Sequence, residues 1–181
     1  YAIGLDKIAK GDESYVLDLE NALNYLDIFE KYSDNVFVIA LTRVEIFTAL
    51  KRYDDAIKVL DTLVTSDNIV DIMIEKIKVY ETSGKIEDAI KLCEEYLENN
   101  DSWKIKYSLG YLLLSKDDSI ETINQCLSLQ YDAYKDSKES FILYEICILN
   151  NKLFRYEENY DLLKEHYRAG IPETDGKGAY L

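Results

Sequence analysis

Few residues in this chain could do chemistry: a single histidine, His166, three cysteines, Cys93, Cys126 and Cys147, and paired acids such as Glu94-Glu95 and Asp117-Asp118. One imidazole can move a proton, but metal ligation with a second histidine is closed to it, so a packing or surface role is expected for His166. The cysteines are odd in number and lack CxxC spacing, which fits neither a disulfide framework nor a zinc site. Cys93 and Cys126 stand 33 residues apart, as small core residues of a repeat would, and Cys147 lies among Leu143, Ile146 and Leu149. The acid pairs lack the alternating oxygen ligands and the glycine of a calcium loop, which leaves them as helix caps or solvated surface. No HExxH, GxGxxG, GxSxG or phosphate loop occurs. The expectation is a chain that is not an enzyme and that takes no cofactor and no metal.

The elements that would position any such residue are helices. Across 181 residues the one proline is Pro172 and there are seven glycines, so little interrupts long helices. A hydrophobic fraction of 48% suffices for a packed core. A formal charge of −14 repels nucleic-acid phosphate and anionic membrane surfaces, and no apolar run reaches the roughly 20 residues of a membrane span. With reduced cysteines and no visible secretory signal, a soluble cytoplasmic protein is expected. The chain opens on Tyr1 rather than methionine, which leaves open that it is a segment of a larger protein.

An internal period organises the sequence. Ser33-Asp34-Asn35 recurs as Ser66-Asp67-Asn68 and, altered, as Asn99-Asn100-Asp101, each step being 33 residues. These are helix-breaking and N-cap residues. Between them the pattern predicts helices over 36–50 and 54–65, then 69–83 and 86–98, then 103–115 and 119–132. A fourth copy follows a longer connection near Asp136–Ser140. The turns correspond: Lys51-Arg52-Tyr53-Asp54-Asp55-Ala56-Ile57 matches Gly84-Lys85-Ile86-Glu87-Asp88-Ala89-Ile90, loosely Asp117–Ile123, and Phe154-Arg155-Tyr156-Glu157-Glu158-Asn159-Tyr160. Acids Asp54, Glu87, Glu121 and Glu157 open each second helix where its dipole is positive, and Lys51, Arg52, Lys85 and Arg155 close the helix before. Apolar columns align as well. Ile39, Ile72, Ile105 and Ile142 share one position, Ile46, Val79, Leu112 and Leu149 a second, and Ile57, Ile90, Ile123 and Tyr160 a third. Residues 1–32 read as one more pair, with core spacing at Ala22, Leu26 and Phe29. Leu162, Leu163 and Tyr167 would close the array, before a stop at Gly170 and Pro172 and a tail over 173–181.

With a large apolar or aromatic residue at Phe47 and Tyr80, a small one at Ala56 and Ala89 and a turn glycine at Gly84, the chain resembles the tetratricopeptide repeat. The resemblance covers about residues 36–172. Arg43 and Lys76 depart from the family's leucine, Thr122 and Asn159 from its alanine, and the spacing of 33 from its usual 34. It implies an all-α fold, a right-handed α-α superhelix of antiparallel pairs (1–32, 36–65, 69–98, 103–132 and 140–168) within one domain over 1–172. It also implies a concave groove that binds a peptide or helix of a partner protein.

Transferring the family's inward-facing positions gives Leu41, Glu45 and Thr48; Ile74, Glu75 and Lys78; Lys104, Tyr107, Ser108 and Tyr111; and Phe141, Tyr144, Glu145, Ile148 and Asn151. Tyrosines suit recognition, having a large face, a hydroxyl and little entropy to lose. Tyr107, Tyr111 and Tyr144 equally suit packing against neighbouring helices. The matched lysine, asparagine and arginine set that clamps a chaperone's C-terminal carboxylate is missing. The expected role is protein–protein interaction as an adaptor or scaffold. The alternative is a sensor or accessory segment of a larger protein, such as a bacterial peptide-responsive transcription regulator or a glycosyltransferase.

Overall fold

The computed structural model describes residues 1–168; the expected stop at Gly170 and Pro172 and the tail over 173–181 lie outside the described residues. The described residues are helical, with no strand among them: α1 (Ala2–Ala9), α2 (Tyr15–Phe29), α3 (Val36–Ala49), α4 (Tyr53–Leu63), α5 (Ile69–Ser83), α6 (Ile86–Leu97), α7 (Trp103–Lys116), α8 (Ile120–Ser137), α9 (Ser140–Lys152) and α10 (Tyr156–Arg168). The chain divides into two compact units, Tyr1–Lys85 and Ile86–Leu181. In the first, α1 packs on α2, α2 on α3, α3 on α4 and α4 on α5; in the second, the same succession runs from α6 to α10. Contact between helices adjacent in sequence is the mark of a tandem helical repeat.

The apolar columns are the core. Ile39, Ile72, Ile105 and Ile142 are all buried, as are Ile46, Val79, Leu112 and Leu149. Ala56 and Ala89 are fully buried, so a side chain no larger than a methyl group fits at that register. Val44, Ile77, Gly110 and Cys147 form a further buried column. Gly110 lets α8 side chains come close to α7: a Cβ there would stand 2.9 Å from Gln130 Nε2, and the Cys126 thiol donates to the Gly110 carbonyl at 3.2 Å.

Four turns reverse the chain by one device. Gly11, Lys51, Gly84 and Phe154 have φ of 70°, 59°, 76° and 59°, the left-handed region. In each case the following amide bonds back five residues: Asp12 to Lys7, Arg52 to Phe47, Lys85 to Tyr80 and Arg155 to Asn150, at 2.8–2.9 Å. The left-handed residue itself bonds back three, to Ile8, Thr48, Glu81 and Asn151. This is the Schellman pattern, which satisfies the last carbonyls of a helix. The corresponding Asp117 does otherwise, with extended φ of −152°. Its carboxylate accepts from Ser119 and Thr122, while Ser119 Oγ accepts from the Thr122 amide and opens α8. Asp117 is therefore a capping acid, held below the usual carboxylate range first by Thr122 and then by Ser119.

Arg43 and Lys76, which replace the family's leucine, have a structural role. Arg43 bonds Asp27 and Glu30 at the end of α2, at 2.6 and 3.0 Å, and Lys76 bonds Asp61 on α4 at 2.5 Å. Each lays its aliphatic stem across a pair-to-pair interface and meets an acid of the preceding helix at the rim. In the second unit the same register is apolar and buried, at Leu109 and Ile146.

Four expectations are corrected. The longer connection near Asp136–Ser140 is helix, because α8 runs to Ser137 and only two residues separate it from α9. Phe29 is exposed although Ala22 is buried. The eight-residue α1, about 12 Å long at 1.5 Å per residue, is too short to lie along the last turns of the 15-residue α2, and Arg43 of α3 meets that end at Asp27 and Glu30 rather than at Phe29. Tyr160 and Tyr167 are exposed. They lie on the last described helix, whose inward face is carried by Asn159, Leu162, Leu163 and His166.

Two stability measurements follow. Ala89→Leu should lower the unfolding free energy by about 1–3 kcal/mol through overpacking, read as a reduced denaturant midpoint. Lys51→Gly should raise it by about 0.5–1 kcal/mol, because removing the left-handed penalty on a side chain outweighs the added chain entropy; an unchanged or lower melting temperature would contradict that.

Candidate functional site

In the first unit, the first helices of successive pairs line an open cavity of about 380 Å³. Leu5, Val44, Ala49 and Val79 give it apolar walls, and Tyr1, Glu45, Thr48, Glu75, Lys78 and Thr82 its polar lining. Side chains one and two turns apart on α3 (Glu45, Thr48) and α5 (Glu75, Lys78, Thr82) project on the same side as helix geometry requires. The Tyr1 hydroxyl donates to the Glu45 carboxylate. Burial first, and the Glu45 charge with it, push that phenol up to about 12. Lys78 pairs with Glu75 at 2.6 Å, one turn away.

Glu45, Thr48, Glu75 and Lys78 are thus brought together as the sequence reading placed them. Leu41 and Ile74 are not in this lining: both are half-buried, and Leu41 packs on the core of Val44, Ala56, Leu60, Ile72 and Val79. Tyr1 and Leu5 escaped sequence reasoning because the repeat register was not carried back into α1. Its alignment with α3 and α5, as the first helix of its pair, was the available signal.

In the second unit, α7 and α9 bring aromatic residues together. The Tyr107 ring meets Phe141 edge-on at 5.1 Å between centroids, and Trp103 lies 6.4 Å from Phe141. Both aromatic pairs fall in the range where ring contact adds about 0.5–1.5 kcal/mol. Tyr107 is half-buried against the core, and its phenol is raised by that burial, then by the nearby Glu145 carboxylate and Tyr111. Tyr111, one turn on, is exposed. The two readings of these tyrosines therefore divide by residue: Tyr107 packs, while Tyr111 offers its ring. Lys104, Tyr144, Glu145 and Ile148 are half-exposed. Asn151 is engaged within the fold, its amide oxygen accepting from Asn159 Nδ2 at 2.9 Å. Trp103 was missed; its place four residues before Tyr107 was the clue.

Asn159 also donates to the Cys147 carbonyl, and its own oxygen accepts from Asn150 Nδ2 at 2.9 Å, which reaches the Tyr131 hydroxyl as well. A polar residue at the family's alanine position is tolerated because these bonds satisfy it between α9 and α10. His166 is likewise buried, with Nδ1 2.6 Å from the Tyr134 hydroxyl. Among the described residues no three histidines, cysteines or acids stand close enough together to hold a metal ion. Nor is any described helix long and apolar enough to cross a membrane. All three cysteines are buried, and burial pushes the Cys126 and Cys147 thiols up to about 11. Such thiols are poor nucleophiles at neutral pH.

Consecutive helix pairs with buried columns recurring every 33 to 37 residues, together with this lining of first helices, define an all-α, tetratricopeptide-like repeat protein. No family model matches the chain, and no curated protein matches it. Among solved structures, MamA 41-end from Desulfovibrio magneticus RS-1 is similar over 96% of this chain and 94% of that one, with a TM-score of 0.56 at 15% identity. The MamA RS-1 ArsTM double mutant is similar over 95% and 94%, with a TM-score of 0.54 at 16% identity. MamA is TPR-like, and at such identity the likeness is one of fold.

The thiols give a pH test. The folded state keeps Cys126 and Cys147 protonated to about 11, whereas an unfolded thiol titrates near 9. Their contribution to stability is whole below pH 9 and is lost as pH rises toward 11. Urea midpoints should fall over that window, and by less in a Cys126→Ala/Cys147→Ala chain. Equal falls in both proteins would refute the assignment.

Proposed function

We propose that this chain is a protein-interaction module that holds a peptide or a helix of a partner protein against the first helices of its pairs. The observation that carries the reading is the cavity lined by Leu5, Val44, Glu45, Glu75, Lys78 and Val79. Apolar walls with a few charged groups at the edge suit one anchoring side chain and the backbone that bears it. Burying a leucine-sized anchor is worth about 1.5–3 kcal/mol. Micromolar binding, near −8 kcal/mol, therefore needs further anchors. Taken by itself, the second unit offers Tyr111, beside Tyr107 and Phe141, as a rigid aromatic surface of the kind found at binding hot spots. The similarity to MamA supports a scaffold of this type. A charge of −14 favours a protein partner over nucleic acid.

A photo-crosslinking amino acid at Thr48 in the first unit, or at Tyr111 in the second, should form adducts with a partner protein, while the same group at Lys58 or Lys91, exposed on second helices, should form none. Val79 is buried and serves the core, so the competing variant is Glu45→Lys, which should reduce the Thr48 adduct at least tenfold. Equal adducts at all four positions would refute a binding site on the first helices.

A further inference from the structure

Helix α2 carries a second apolar stripe that no described helix covers. Leu17, Asn21, Asn24, Tyr25 and Ile28 fall at successive intervals of four, three, one and three residues, one face of a helix, and all are exposed. Phe29 beside the stripe and Tyr32 in the turn beyond it are exposed too; the five apolar residues range from 55% to 84%. The centre of the stripe holds no charged residue, in a chain that is 31% charged, and exposed Glu20 and Asp27 border it on one side. Asp18, at its edge, is paired with Lys7 at 2.6 Å. Aromatic residues with charge depleted from the centre are the composition of a protein interface. At about 150–250 Å² per large side chain, the exposed parts offer on the order of 700 Å², close to the roughly 800 Å² per partner of a standard interface.

The order of residues selects the occupant. Leu17, Asn21, Asn24 and Ile28 read alike in either direction: an apolar residue, four residues to an asparagine, three to another, four to an apolar residue. We infer that a second copy of this chain packs here, α2 against α2 in antiparallel sense about a two-fold axis. Leu17 then meets Ile28 of the other copy, and Asn21 meets Asn24. A two-fold interface must be self-complementary in this way. Paired carboxamides at its centre can exchange hydrogen bonds and fix the register, as a buried asparagine does between coiled-coil helices. Opposed macrodipoles favour the antiparallel sense. Two chains of charge −14 repel at long range, so salt should strengthen the association by screening.

Light scattering on the 181-residue chain at about 100 μM should give twice the chain mass, with the dimer fraction rising between 50 and 500 mM salt. Tyr25→Asp/Phe29→Asp should halve that mass without altering helical circular dichroism, while Tyr160→Asp on α10 should leave it unchanged. Under mild oxidation, Leu17→Cys mixed with Ile28→Cys should yield a disulfide-linked heterodimer, and either variant alone far less; the buried native thiols give no background. A monomer under all conditions, meaning that something other than a second copy covers the stripe, would overturn the inference. So would a dimer that survives the double aspartate variant or breaks with Tyr160→Asp.

Discussion

A pair of antiparallel helices buries one face between its members and keeps another that only a neighbour can cover. That second face sets the chemistry of every interface in this molecule. In the second unit it is met with hydrocarbon, at Leu109 and Ile146, both buried. In the first it is met with Arg43 and Lys76, whose side chains are only 19% and 15% exposed and whose heads reach acids on the preceding helix. Ion pairs with one exposed partner contribute little by themselves, on the order of 0–1 kcal/mol. Their aliphatic stems do the packing and their heads stay partly hydrated. The two solutions fill one repeat position with different side chains.

The fold was legible because its signals are redundant. Three apolar columns, the small residues Ala56 and Ala89 and the acids opening each second helix all report the same register, and most of those columns are buried. What failed lay where a column runs out of neighbours. Phe29 and Tyr160 have the right spacing, but spacing states only which residues share a face. Whether that face is covered depends on the length of the facing helix, and α1 is too short to reach Phe29. The connection near Asp136–Ser140 was misread because polar residues in the last turns of a helix resemble a loop. Lys138, left-handed with φ of 57°, ends α8 where no glycine announces it.

Which first-helix side chains share a lining was legible in part, for the same reason. Glu45, Thr48, Glu75 and Lys78 follow from the register alone and do line one cavity. The register does not reveal what a side chain touches across helices. Asn151 bonds Asn159, Tyr107 turns its edge to Phe141, and Leu41 joins the core, all through residues distant in sequence. Trp103 went unseen because it sits at a helix beginning, where the repeat pattern is least defined, and Tyr1 and Leu5 because the register was not carried back into α1.

The Schellman turns bear on what a sequence must supply at a chain reversal. Their hydrogen bonds join main-chain atoms, so the reversal persists whether the left-handed residue is glycine, lysine or phenylalanine, as Gly84, Lys51 and Phe154 demonstrate. Where a bend tolerates such different occupants, its letters can drift over generations while the helices it joins keep their places.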